Sequence, residues 1–343
     1  MDYCSAINRL SAAPGPSGFE GAVARVALEM LRPLVPQAHI DRMGNVVGLR
    51  PCGKPGAKKL LLDAHLDEIG FIITGQEEGY LRFAPLGGVD PRMLPDRELT
   101  VLTDPPRMGV VACLPPHIQS REDMDKSQPI SELYLDLGLT EEEPQAIPIG
   151  TPAVYRTGCL ALGKELLSGK ALDDRACFVL LLRTLELLEG EDLDVDLIVL
   201  GSTQEETHST GAITAAYGLR PDLCVAVDVT HGDSPDASKD KTFPLGKGPV
   251  IGLGPNCTKW ISDLLRRCAK EMDLGVQLEV MSGSSGTNGW PLQVSREGVA
   301  TGVLSLPLRY MHTPIETVHQ GDMEDTARLL AEFVRRVGKE GVL

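Results

Sequence analysis

The chain is 343 residues long, 42% hydrophobic and 24% charged, values that exclude a disordered, collagen-like or coiled-coil protein. That length exceeds what one core commonly serves, so a large domain with a smaller second unit is expected. With 33 Lys+Arg against 48 Asp+Glu the net charge is −15, and a field of that sign argues against nucleic acid as a partner.

The opening MDYCSAINRLSAAPG has neither a basic n-region nor an apolar h-region, and no apolar run reaches the ~18 residues of a membrane helix. A cytoplasmic protein without a membrane partner is expected. The eight cysteines are scattered with no CxxC pair, the usage of buried or idle thiols. Residues 19–31, FEGAVARVALEML, place apolar side chains at helical spacing, and NVVGLR reads as a short strand. KKLLLDAHLDEIGFIIT, residues 58–74, is a leucine-rich run broken by His, Asp and Glu, as where a buried strand reaches an active-site edge.

From about Gly75 to Lys164 the texture changes to short β-like runs between Pro and Gly turns, which predicts a small all-β unit. Alternation of helix and strand resumes with DDRACFVLLLRTLELLEG as a helix and DVDLIVLGSTQEE and DLCVAVDVTHGD as strands. Helical patterns at 257–273 and 322–338 flank strands in VQLEVM and GVATGVLSLPLRYMHTP, and KDKTFPLGKGP reads as a surface loop. The predicted fold class is α/β, a mixed sheet flanked by helices over 1–72 and 163–343, with a small all-β, barrel-like domain inserted over 73–162.

Five segments end apolar runs on His or carboxylate: DAHLDEIG, ALDDRA, STQEET, VAVDVTHGD and YMHTP. In an open α/β sheet such ends converge at one crevice. Two imidazoles, His65 and His312, with three carboxylates, Asp173, Glu206 and Asp228, suit Zn²⁺, Co²⁺ or Mn²⁺. His65 and Asp67 point to the same side of an extended chain, so Asp67 can orient the imidazole. Asp173 and Asp174 precede a long apolar helix and also fit plain N-capping. Glu205 and Glu206 are adjacent at the end of a buried strand, so one can bind metal while the other takes a proton from bound water. Asp228 and His312, each taken alone, fit structural polar positions equally well.

HLDEIG, GGVDPRMLP, ALDDRA, QEE followed by GA, DVTHGD and SREGVATGVLSLPLRYMHTPIETV stand in this order, with PSGFE at 16–20 and DRMGN at 41–45. Together they resemble the tetrahedral-type (TET) metallo-aminopeptidases, which include glutamyl and deblocking aminopeptidases. The resemblance spans essentially the whole chain. It implies a co-catalytic two-metal aminopeptidase that releases N-terminal residues from short peptides. His65 and Asp228 would hold one ion, Glu206 and His312 the other, and Asp173 would bridge them; zinc is the expected metal, with cobalt or manganese as alternatives. Glu205 is implied as the base that activates the shared water and as the acid that serves the leaving amine, with Asp67 supporting His65. A homo-oligomer built from dimers, up to a dodecamer, is implied as well, with the 73–162 insert as its assembly domain.

Two stretches depart from the family pattern. QEE is followed by THSTGA rather than a VGLRGA-like run, which adds His208. SGSSGTNGWP carries Asn288 where a GTDA-like run has Asp. Both residues are expected on the substrate side. The competing readings are a related two-metal deacylase or carboxypeptidase, whose ligand chemistry is nearly the same, and a non-catalytic assembly protein of the same fold.

Overall fold

A computed structural model describes residues 1–121, 126–140, 147–235 and 237–339. Two helices, α1 (Tyr3–Ser11) and α2 (Gly21–Leu31), precede strands β1 (His39–Ile40), β2 (Val46–Arg50) and β3 (Lys58–His65). The chain then enters a closed barrel of β4 (Gly70–Glu77), β5 (Tyr80–Leu86), β6 (Glu98–Val101), β7 (Arg107–Ala112), β8 (Tyr134–Asp136) and β9 (Pro152–Tyr155). It returns through β10 (Leu160–Leu162), β11 (Leu166–Gly169), α3 (Leu172–Leu187) and β12 (Val195–Ser202). Next come α4 (Glu205–His208), α5 (Thr210–Leu219), β13 (Leu223–His231), β14 (Val250–Leu253) and α6 (Lys259–Glu271). The last elements are β15 (Gln277–Val280), α7 (Gly289–Gln293), β16 (Ala300–Arg309), β17 (Glu316–His319) and α8 (Gln320–Val337).

The large sheet runs β1-β2-β12-β3-β13-β16-β17-β11-β10, with β14 and β15 branching from β16. Its centre is parallel, β3 lying between β12 and β13. Central parallel strands are covered on both faces, so they read as unbroken apolar runs. Leu60 and Leu62 of β3 pack with Phe178 and Leu181 of α3 and Phe333 of α8, while Leu61 packs on the other face with Ile198, Ala212 and Leu292. The α/β sheet with flanking helices and a separate barrel is thus the architecture found.

The barrel has its own core. Phe71 meets Phe83 and Tyr155 edge to face at 5.5 and 5.3 Å, amid fully buried Ile73, Leu99 and Leu135. Each such side chain stabilises by roughly 1.5–3 kcal/mol. The first and last strands, β4 and β9, pair directly, Phe71 opposite Ala153.

Two local expectations are corrected. The 58–74 run is two strands, because the chain leaves the large sheet at His65 and begins the barrel at Gly70; both halves are apolar, so hydropathy alone hides the break. PAVYRTGCLAL likewise splits, β9 closing the barrel and β10 pairing with β11 in the large sheet. Among the described residues, no helix is long and apolar enough to cross a membrane.

Candidate active site

Ser202 of β12 lies opposite His65 of β3, and β13 runs parallel on the other side. The carboxyl ends of these strands therefore open together, the place where α/β sheets bind ligands. His65 ends β3, Asp228 lies near the end of β13, Glu205 and Glu206 begin α4 directly after β12, Asp173 begins α3, and His312 follows β16. All six line one cavity of ≈ 1190 Å³.

His65 Nε2 lies 3.0 Å from Asp173 Oδ1 and 4.0 Å from Asp228 Oδ1. His312 Nε2 lies 3.4 Å from Asp173 Oδ2 and 3.2 Å from Glu206 Oε2. The two oxygens of Asp173 thus face different imidazoles. Ligand atoms of His65, Asp173 and Glu206 lie within 4.8 Å of one another, as do those of His65, Asp174 and Asp228.

The backbone around these groups is held by buried acceptors. Asp67 accepts the Glu205 amide at 3.0 Å on Oδ1 and the Glu206 amide at 3.1 Å on Oδ2. Its Oδ1 is also 3.4 Å from His65 Nδ1, which lies 3.1 Å from the Asp67 carbonyl. One side chain therefore positions three site residues. Glu20 of PSGFE accepts the Gln204 amide at 3.1 Å, and Asn45 of DRMGN accepts the Thr203 amide at 3.0 Å. Gly211 is required beside them, since a Cβ there would stand 2.3 Å from Asn45 Oδ1. The barrel contributes too: a Cβ on Gly88 of GGVD would stand 2.8 Å from His312 Nδ1.

Sequence reading did not single out Glu316. Its Oε2 accepts the Leu172 and Asp173 amides at 2.8 and 3.1 Å, and its Oε1 accepts the His312 amide at 2.9 Å. That grip holds His312 at φ 60, a left-handed conformation that costs a non-glycine residue about 1–3 kcal/mol. The available signal was a glutamate four residues after His312, opening the apolar ETV strand. The sequence pattern offers Asp174 only as a helix cap. The start of α3 carries no side-chain cap bond; Asp174 Oδ2 instead accepts the His65 amide at 3.2 Å, and its Oδ1 has no partner.

Charge in the cavity is lopsided. Burial pulls the His65 imidazole down, but Asp173 and Asp67 outweigh it and hold it well above its ordinary value. His312 is pushed up to about 11, Asp173 and Glu206 overcoming burial. Asp173 is buried as well, yet His312 and His65 keep it below the carboxylate range. Burial raises Asp228 and Glu206, in Glu206 against its bond to His312. Glu205 is pushed up to about 8 by burial, with Asp173, Glu206 and Asp67 adding and His65 opposing. Buried carboxylates in this number need positive charge, and the oxygen and imidazole donors fit divalent cations of the zinc, cobalt or manganese kind.

His208 lines the same cavity from an exposed position. Asn288 does not, which corrects the substrate-side expectation. It is 2% exposed, and its Nδ2 donates to Asp63 Oδ2 at 2.8 Å and Ser202 Oγ at 2.9 Å. The reason is Asp63, a carboxylate that burial raises to about 6 while the Ser202 and Asn288 side chains oppose the rise; an amide donor is what it needs.

Residues 44–329 match the family model of the M42 glutamyl aminopeptidases. The chain is 33% identical over 332 residues to the lysyl aminopeptidase of Pyrococcus furiosus, covering 94% of each chain. Its structure superposes with a TM-score of 0.89 on an aminopeptidase of the archaeon Desulfurococcus kamchatkensis, at 33% identity over 97% of this chain and 94% of that one. It superposes with a TM-score of 0.83 on the TET1 peptidase of Pyrococcus horikoshii, at 26% identity over 98% of this chain and 100% of that one. That peptidase assembles into a tetrahedron or a large octahedral shell.

Proposed function

Since the chain belongs to the M42 glutamyl aminopeptidase family and is a metallo-aminopeptidase, we propose that it releases N-terminal residues from short peptides with two divalent ions and Glu205 as proton carrier. The observation that supports this best is the division of Asp173, whose two oxygens face His65 and His312 separately. His65 and Asp228 would hold one ion, Glu206 and His312 the other, with Asp173 shared and zinc as the metal. Such a pair, when bound, acidifies water near neutral pH and polarises a peptide carbonyl.

The chain's own groups do the rest. Glu205 accepts the proton of the attacking water and returns it to the leaving amine, without which a peptide nitrogen is a poor leaving group. Its raised pKa suits both halves of that transfer. Asp67 fixes where Glu205 and Glu206 point by binding both amides, and it orients His65. The barrel, which makes up most of the 73–162 insert and begins at Gly70, is assigned to homo-oligomer assembly from dimers, a reading supported by exposed Met108 and Ile149, 50% and 69% accessible. The eight cysteines are all free, which suits a reducing cytoplasm.

The test is an assay of the metal-stripped and zinc-, cobalt- or manganese-reconstituted protein on aminoacyl anilides and on N-acetylated amino acids, with Glu205→Gln alongside. Anilide cleavage that needs two ions per chain and falls at least ~100-fold in Glu205→Gln is expected. Deacylation without anilide cleavage, or near-full activity in Glu205→Gln, overturns the assignment.

A further inference from the structure

The cavity extends beyond the ligand cluster, and one carboxylate there has no role in the mechanism above. Thr230 follows Asp228 by two residues on β13, so the two side chains share a face roughly 6.6 Å apart. Glu279 of β15 lies beside Thr230, close enough for the hydroxyl to act on the carboxyl, and both line the cavity.

β15 inverts the usual alternation of an amphipathic strand. Leu278 and Val280 are 42% and 79% exposed, while Gln277 and Glu279 are half-buried. The strand thus leaves two apolar side chains in water in order to point a carboxylate at the cavity. Glu279 Oε2 is buried and has no hydrogen-bond partner, an unfavourable state for such a group. Burial raises its pKa, opposed by Thr230 and His231, as expected of a carboxylate short of counter-charge. The guanidinium on the cavity wall does not supply that charge: Arg296 is exposed, donates from Nε to the Tyr217 carbonyl and lies 4.0 Å over the Tyr217 ring.

We propose that Glu279 is the specificity carboxylate of the pocket for the N-terminal side chain, and that the enzyme prefers a basic residue, lysine or arginine, there. This rests on the aminopeptidase assignment. A lysyl side chain, four methylenes and an ammonium, spans about the separation of two strand residues, so a residue cleaved at the Asp228 end places its cation at Glu279. The ammonium supplies counter-charge to the Glu279 carboxylate on the cavity wall, and an uncharged side chain of similar length leaves that charge uncompensated; a site built around a polar partner discriminates in that way.

The test compares kcat/KM for lysyl and norleucyl anilides with the zinc-loaded enzyme. The wild type should favour lysyl at least ~10-fold, and the lysyl-to-norleucyl ratio should fall about 10- to 100-fold in Glu279→Gln, the range of a hydrogen bond to a charged group. Most of the loss should lie in KM. In Glu279→Lys the preference should turn toward glutamyl anilide. A wild-type ratio near one overturns the proposal whether or not the variants fold, as does an equal loss on both substrates in Glu279→Gln. Failure to cleave any anilide would overturn the aminopeptidase assignment and this pocket with it; cleavage without basic preference overturns the pocket alone.

Discussion

Replacing Asp67 with Asn isolates the residue that joins the two glutamates to His65. Asp67 is fully buried, and each of its oxygens accepts one backbone amide, from Glu205 and from Glu206. Asn has the same shape but a single acceptor, so its NH₂ must face one of those N–H groups. A buried donor left without a partner costs about 1–3 kcal/mol. The negative charge 3.4 Å from His65 Nδ1 disappears as well, and loss of such a partner typically weakens metal binding 10- to 100-fold. Urea denaturation of the chelated protein and zinc competition against a chromophoric chelator measure the two effects separately. A stability change under about 0.5 kcal/mol together with unaltered zinc affinity would show that Asp67 holds neither the glutamates nor the imidazole.

Chelation should abolish peptidase activity, zinc should restore it, and the loaded protein should be more stable than the stripped one by about 4 kcal/mol when free zinc stands a thousandfold above Kd; equal melting of both forms contradicts a structured ion site. Lys170 offers a pH test. Burial lowers its ammonium to about 8, with Glu68 opposing at 2.7 Å. The unfolded lysine keeps its proton up to about 10.4, so between these values the unfolded chain binds more protons and stability from this group rises with pH. The stability difference between wild type and Lys170→Met should therefore shift in favour of the wild type from pH 8 to 10; a difference that is flat or falls refutes it. Phe71→Ala removes both edge-to-face partners at the barrel centre and should destabilise by about 3–5 kcal/mol. Amide exchange should speed up in residues 70–155 before it does in β12 and β13, and uniform acceleration would mean that the barrel and the large sheet unfold as one unit.

The strands that carry the site were legible because central parallel strands must be apolar on both faces, and His65 and Asp228 interrupt such runs at their ends. The adjacent Glu205 and Glu206 were legible for the same reason, although their place on a short helix depends on Asp67, which lies 138 residues from Glu205 in the chain. Glu316 was not legible as a site residue: its work is done through backbone amides up to 144 residues away, and no local pattern encodes that. Asn288 was misplaced because a polar residue in a Gly- and Ser-rich stretch resembles a surface loop, whereas its partner Asp63 sits inside the strand run KKLLLDAH. In β15 the inward glutamate and outward leucine and valine invert the pattern on which strand faces are assigned.

The direct pairing of β4 with β9 bears on how the molecule tolerates change. His65 and Asp173 are 108 positions apart in sequence, and their contact would close a long loop if the intervening chain were free. Because the first and last strands of the barrel leave side by side, that loop shrinks to residues 66–69 and 156–172 once the barrel has folded. The length of the barrel segment then ceases to matter to the His65–Asp173 contact. Hairpins can be lengthened, trimmed or exchanged at the far end without altering the span between His65 and Asp173. The outer surface of the barrel can therefore be rewritten while the residues of the cavity stay in place.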